Sequence, residues 1–283
     1  MPSHGVLCPE IRHLRPHAVR RRPFSGVTTD AVEVAVLGPV LVHGTAGPFR
    51  RSAARDLVVY LAFHRRGVRH AEWSLALWPD RPVSLSTAHS TSSDARRALG
   101  RDGVGRSHLP RGVELRLGDG VTTDVERFGS LATEDDPHQL LRAMRLIRGP
   151  LFSGLHRADW AIFDGTHSDV EALVVRTALR GADAFVRLGC GEEAEWMVRQ
   201  ALQLSPYDER LYRALLRATA AQGNRVRLHS AMAQLRTLAG DAACPPARTA
   251  ALAPSDSLHP ATTALYRDLL LGLPAAGGHP ARL

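Results

Sequence analysis

Residues 84–99 read SLSTAHSTSSDARRAL. Ala88, Ser92, Ala95 and Leu99 fall at i, i+4, i+7 and i+11, which predicts a helix with a small, apolar inner face. Its outward face carries His89, Ser90, Ser93, Arg96 and Arg97, side chains suited to hydrogen bonding rather than packing. Just upstream, residues 52–66 (SAARDLVVYLAFHRR) place Ala54, Leu57, Val58 and Leu61 at helical spacing, with Ser52 as cap and Gly67 as stop. Residues 70–78 (HAEWSLALW) predict a short helix halted by Pro79. Trp73, Leu77 and Trp78 are expected to close the core of this three-helix unit. Further upstream, residues 32–43 (VEVAVLGPVLVH) alternate and break at Gly38-Pro39, as two short strands around a turn do. Residues 44–51 read as a loop with a third short strand. Downstream, residues 106–117 (RSHLPRGVELRL) form two runs around Pro110-Arg111-Gly112 and predict a β-hairpin. Strands, three helices and a hairpin make, in that order, a winged helix-turn-helix with an N-terminal sheet.

From Asp124 onward the pattern is helical. Residues 124–132, 136–148, 168–188, 192–204, 208–222, 225–239 and 261–271 predict helices, and 241–259 is an Ala/Pro-rich loop. Gly189 and Gly223 lie 34 residues apart, the tetratricopeptide period. Ala194, Val198 and Ala201 follow the first glycine at the offsets of a repeat's second helix; Leu228, Met232 and Leu235 follow the second at similar ones. Trp160 and Trp196 are expected in the core of this half. Stacked helix pairs of this kind offer a concave face to a peptide or partner helix. The expected fold class is therefore mainly α with a small α+β N-terminal part, a winged helix-turn-helix followed by a tetratricopeptide-like α-helical domain. The expected boundaries are a flexible basic arm over 1–31, the winged helix over 32–123, the helical domain over 124–272 and a disordered tail over 273–283.

The chain has 283 residues, 44% of them hydrophobic and 23% charged, a globular composition of one or two domains. All 36 basic side chains are Arg, and the entire +8 formal charge falls in the first 123 residues. A cationic half joined to a neutral half suits a polyanion on one side and a protein on the other. The 3 cysteines are far apart without CxxC spacing, which offers neither a disulfide framework nor a zinc site. No apolar run is long enough to span a membrane and the first residues lack the apolar core of a signal peptide, so a cytoplasmic protein is expected.

Motifs that carry chemistry are missing. No GxxxxGK[ST], HExxH or GxSxG occurs, and the 14 His are scattered. GCGEEA at 189–194 fits GxGxxA, but a helix precedes it where a dinucleotide site needs a strand, so it reads as a helix–helix turn. Glu134-Asp135-Asp136 reads as helix capping. The expectation is a protein that is not an enzyme and needs no cofactor or metal.

Several segments together resemble actinobacterial regulators of the antibiotic-regulatory-protein type, a winged helix followed by a bacterial transcriptional activator domain. They are VEVAVLGPV at 32–40, LALWPD at 75–80, SDARRALG at 93–100, Asp124 and Phe128, RGPLFSGL at 148–155 with Trp160, and SPYDERLYRALLRATAAQGN at 205–224. The likeness covers about residues 32–272, and similar two-domain units also end longer multidomain chains. It implies sequence-specific binding of double-stranded DNA upstream of promoters, recruitment of RNA polymerase, and dimerisation or partner contact through the helical domain. One residue departs from the pattern: Asp94 stands where the family usually carries a basic residue. An acid there repels phosphate unless it accepts from cytosine N4 or pairs with Arg97 or Arg101.

On this reading residues 86–99 enter the major groove. His89, Ser90 and Ser93 would read base edges, Arg96 and Arg97 would reach guanine or phosphate, and Arg106 and Arg111 on the wing would follow the minor groove or backbone. The reading requires those arginines to be free of carboxylate partners. The alternative is a protein-interaction scaffold whose degenerate winged helix no longer binds DNA.

Overall fold

The computed structural model describes residues 31–240 and 258–273. The expected arm lies outside the described residues apart from Ala31, as does the expected tail apart from Leu273 and the loop over 241–257. The described residues form two compact units, one of 31–133 with 145–173, the other of 134–144, 174–240 and 258–273.

In the first unit, β1 (Val32–Ala35) pairs antiparallel with β2 (Leu41–His43), as expected around Gly38-Pro39. Residues 44–51 form no strand. The helices α1 (Ser52–Phe63), α2 (His70–Leu77) and α3 (Leu85–Leu99) follow at the expected positions. The sheet is completed by β5 (Val121–Thr123), which runs parallel to β1 in the order β2-β1-β5.

The 106–117 hairpin is corrected. Its only strand, β4 (Glu114–Leu115), pairs antiparallel with β3 (Val68–Arg69), between α1 and α2. Within the wing, Arg101 and Ser107 form a lone bridge. Pro110 has no N–H to offer a ladder, while Val68 and Leu115 are both buried and make an apolar cross-strand pair.

Helix α1 is buried on more than the one expected face. Ala54, Leu57, Val58 and Leu61 are fully buried, and so are Val59 and Asp56. Residues 148–164 cover its other side. Tyr60 meets Trp160 edge-on at 5.0 Å, Phe63 meets Phe152 at 5.6 Å, and Asp56 takes a 3.0 Å ion pair from Arg157. Burial pushes the Asp56 carboxyl up, and the Arg157 guanidinium only partly offsets it. Helix α6 (Asp159–Phe163), which no periodicity announced, carries Trp160 into this cluster. Trp73 and Leu77 are buried as expected, whereas Trp78 is half-buried under the Arg157 guanidinium, 5.4 Å from its ring centre.

Asp124 ties the sheet to α4 (Asp124–Ala132). Its buried carboxylate accepts the Val36 amide at 2.8 Å and the Leu37 amide at 3.0 Å, and pairs with Arg148 at 3.2 Å. The α4 start is a reciprocal cap in which Thr123 Oγ1 accepts from the Glu126 amide and Glu126 accepts from that of Thr123. Phe128 beneath it is fully buried.

The second unit holds α5 (Pro137–Met144), most of α7 (Thr166–Arg187), α8 (Gly191–Leu202), α9 (Glu209–Ala221), α10 (Arg225–Leu238) and α11 (Pro260–Gly272). Gly189 and Gly223 both adopt left-handed φ, +73° and +66°, where the chain leaves α7 and α9. The residues at the repeat offsets turn inward: Ala194, Val198, Ala201 and Leu228 are fully buried, Met232 and Leu235 nearly so. Trp196 is half-buried. GCGEEA is a helix–helix turn, as expected.

Glu195 on α8 is the polar hub of this stack. It accepts from Arg199, from Gln222 at 2.8 Å and from Arg227 at 3.1 Å. Helix α11 is held to α9 through Thr262, which donates to Glu209 at 2.6 Å and accepts from Arg213. Gly191 lets α8 approach α9: a Cβ there would lie 2.9 Å from the Ala218 carbonyl oxygen and 2.8 Å from Gln222 Cγ. Gly191→Ala is therefore expected to destabilise the chain by about 1–3 kcal/mol, despite alanine's better helix propensity. Urea melts of the two proteins measure this, and an unchanged midpoint would remove the close approach as a stabilising feature.

Candidate nucleic-acid interface

Helix α3 starts at Ser84, whose Oγ accepts the Thr87 amide at 3.2 Å. Ala88, Thr91, Asp94, Ala95, Ala98 and Leu99 are buried. The inner face is rotated from its expected position: Thr91 takes the place given to Ser92, and its hydroxyl is satisfied by the Thr87 carbonyl at 2.9 Å. Ser92 turns to the outer side.

Asp94 also points inward, which removes the repulsion its sequence position threatened. One oxygen accepts the backbone amides of Arg50 and Arg51, both at 2.9 Å, at the start of α1; the other pairs with Arg97. Asp94 thus holds the two residues that lead into α1; the expected cap Ser52 is the helix's first residue, and the N-cap Arg51 makes no side-chain cap hydrogen bond. Burial pushes the Asp94 carboxyl up, and the hydrogen bonds from Arg97, Arg51 and Arg50 outweigh it, leaving the group below the usual aspartate value.

Two adjoining concavities run along the outer side of α3, of about 600 and 750 Å³. Both are lined by Ser93, Arg96 and Arg111. The first adds His70, Trp73, Leu85, His89, Ser92, Gly112, Val113 and Leu115. The second adds Arg97, Gly100, Arg101, Ser107 and Pro110. Among the described residues, four arginines and two histidines line this groove and no carboxylate does.

The groove forms because the wing folds back over α3. Arg96 Nε donates to the Leu109 carbonyl at 2.8 Å, and Ser107 Oγ bonds the same carbonyl at 3.0 Å. This brings Arg111 towards Arg96. Burial first, and then the charge of Arg111, hold the Arg96 guanidinium below its ordinary range. Such a pair is relieved by an anion set between its members.

Of the seven sequence candidates, His89, Ser93, Arg96, Arg97 and Arg111 line this groove. Ser90 does not: it is half-buried, and its hydroxyl donates to the Thr87 carbonyl at 2.9 Å. Arg106 does not either, being clasped at 2.8 Å by Asp102. The requirement that the arginines be free of carboxylates fails for Arg97 and Arg106. Their acids lie three and four residues back, within reach of the local backbone. Arg101 donates to the Gly105 carbonyl at 2.6 Å. His70, Leu85 and Val113 were not singled out in the sequence. Leu85 lies one residue before the stretch assigned to the major groove, and the other two arrive from distant segments.

The fold and this groove define a winged helix joined to tetratricopeptide-like helices. The family described as "Bacterial transcriptional activator domain" matches residues 122–239. Among solved structures, Mycobacterium tuberculosis EmbR in complex with a low-affinity phosphopeptide is similar in fold, with a TM-score of 0.56 and 24% identity. The likeness covers 87% of this chain and 66% of that one, so the chain spans about two thirds of that relative's length. No curated protein matches. The family match bears on residues 122–239, the helical half, and the solved structure, at 24% identity, shows a likeness of fold. Among the described residues no helix is long and apolar enough to cross a membrane, and no group of three or more His, Cys, Asp or Glu is arranged to hold a metal ion.

Proposed function

We propose that this chain is a DNA-binding transcriptional regulator, an activator, that inserts α3 into the major groove of double-stranded DNA and rests its wing on the adjoining backbone. The observation that carries this is the groove of Arg96, Arg97, Arg101 and Arg111, which no carboxylate among the described residues lines. His89 and Ser93 are the base-reading groups, Arg96 reaches guanine or phosphate, and Arg111 neutralises phosphate. Arg97 contributes its remaining donors while Asp94 holds it. Residues 32–123 supply the reading head. Residues 124–272 supply the surface for dimerisation or for RNA polymerase. A regulator of this kind works where the DNA is, in the cytoplasm, and needs no cofactor or catalytic group.

The test is binding of the full chain to a pool of duplexes across a salt series. Affinity is expected to fall linearly in log–log form, with a slope of about −0.9 per phosphate neutralised. The scaffold alternative is favoured by the Asp94–Arg97 and Asp102–Arg106 ion pairs, which lower the free positive charge. Absence of salt-dependent duplex binding at low ionic strength would leave that alternative standing and remove the regulator mechanism. A phosphopeptide such as the one bound by the similar fold is the control anion. Duplex DNA must outcompete it if the groove is built for a phosphate backbone.

A further inference from the structure

Two of the apolar side chains that line this groove are exposed. Leu85, the first residue of α3, is 64% exposed, and Val113, on the wing, is 90% exposed. Singly exposed apolar residues are ordinary. These two, however, line one concavity together with Arg96 and Arg111. On α3 the lining residues Leu85, His89, Ser92, Ser93 and Arg96 fall at i, i+4, i+7, i+8 and i+11, a single face of the helix. From Leu85 to Arg96 that face extends about 16 Å, at 1.5 Å per residue. That is long enough to span several base steps of a duplex. The face is therefore graded, apolar at its N-terminal end, imidazole and hydroxyl in the middle, cationic at its C-terminal end.

Recognition helices in this docking mode present their N-terminal residues to base edges. The one apolar group on a base edge in the major groove is the thymine 5-methyl. We propose that Leu85, with Val113 lining the same concavity, reads a thymine methyl at one end of the site, a few base pairs from the position held by Arg96. This assignment rests on the duplex reading above and names the sequence feature that this groove selects. It gives the helix a polarity on its site: thymine at the Leu85 end, guanine or phosphate at the Arg96 end.

Uracil differs from thymine only by lacking that methyl, so it isolates the contact. The full chain is used to select duplexes from a random pool. Each thymine of the selected site is then replaced, one at a time, by deoxyuridine. The expected result is one position at which wild type loses about fourfold in affinity, the worth of one buried methyl group. At that position Leu85→Ala binds the thymine and uracil duplexes equally, while its response at every other position matches wild type. Leu85 is exposed, so the variant is expected to melt with wild type. If wild type is indifferent to uracil everywhere, or if Leu85→Ala keeps the same sensitivity, the Leu85 assignment is overturned while duplex recognition stands. If no duplex is selected at all, the duplex reading falls and the assignment falls with it.

Discussion

Replacing Arg96 and Arg111 together by alanine is expected to weaken duplex binding by about 2–4 kcal/mol, roughly 30- to 1,000-fold, and to flatten the salt slope by close to two phosphates' worth. These two are chosen because both line the two halves of the groove, and burial followed by the charge of Arg111 holds the Arg96 guanidinium below its ordinary range. An alanine pair removes the anion site as a whole. Arg106→Ala is the contrasting variant. Its guanidinium is already spent on Asp102, on an exposed loop, so binding should change less than threefold. Titrations by fluorescence anisotropy at several salt concentrations separate the cases. Equal losses for Arg106→Ala and the double variant would mean that bulk charge, rather than the groove, binds DNA. Because Arg96 also donates to the Leu109 carbonyl, a thermal melt of the double variant accompanies the titration, with a small drop expected.

The largest loss of stability is expected at Asp124. Its carboxylate accepts the Val36 and Leu37 amides, both on fully buried residues, and it holds Arg148 as well. Asp124→Ala strands two buried N–H groups at about 1–3 kcal/mol each. The Arg148 pair adds little, since that side chain is one-third exposed. A loss of about 2–5 kcal/mol is expected, a large share of the stability of an ordinary domain. Urea denaturation with two probes measures it. Asp124→Asn, which keeps one acceptor oxygen, should recover part of the loss. A variant melting within 0.5 kcal/mol of wild type, about the size of an ordinary surface change, would show that water replaces the carboxylate at no cost.

Much of the fold was legible because its elements are written in local periodicity. The stripe of α1, the short α2 stopped at Pro79 and the α3 segment all formed where their apolar spacing put them. The two repeat glycines, read from the sequence only as a 34-residue period, both adopt left-handed φ where a helix ends. What escaped was non-local. Pairing of 114–115 with 68–69 joins segments 45 or more residues apart, and the parallel β1–β5 contact spans almost ninety. Such partners leave no period in either strand, so the wing read as a self-contained hairpin. The all-round burial of α1 was partly visible, since SAARDLVVYLAF is apolar on most sides, but only residues 148–164 explain it. Thr91 went inside in place of Ser92: it lies three residues after Ala88 and four before Ala95, and both hydroxyls are satisfied by a carbonyl of the preceding turn, so hydrogen bonding did not separate them in the sequence.

The candidate site divides along the same line. From the order of residues alone came the helix that faces outward, the concentration of arginine in the first 123 residues, and the proximity of Asp94 to Arg97, three residues apart on one helix. These are properties of neighbours along the chain, which a helix of known pitch converts directly into neighbours in space. Which arginines are left to meet an anion was decided by the tertiary structure. Asp94 turned inward to hold the residues that lead into a helix more than forty residues away, and the wing folded back to set Arg111 beside Arg96. Coulomb energies depend on distances through space, and across segments that distance is set by how the core packs, not by spacing along the chain.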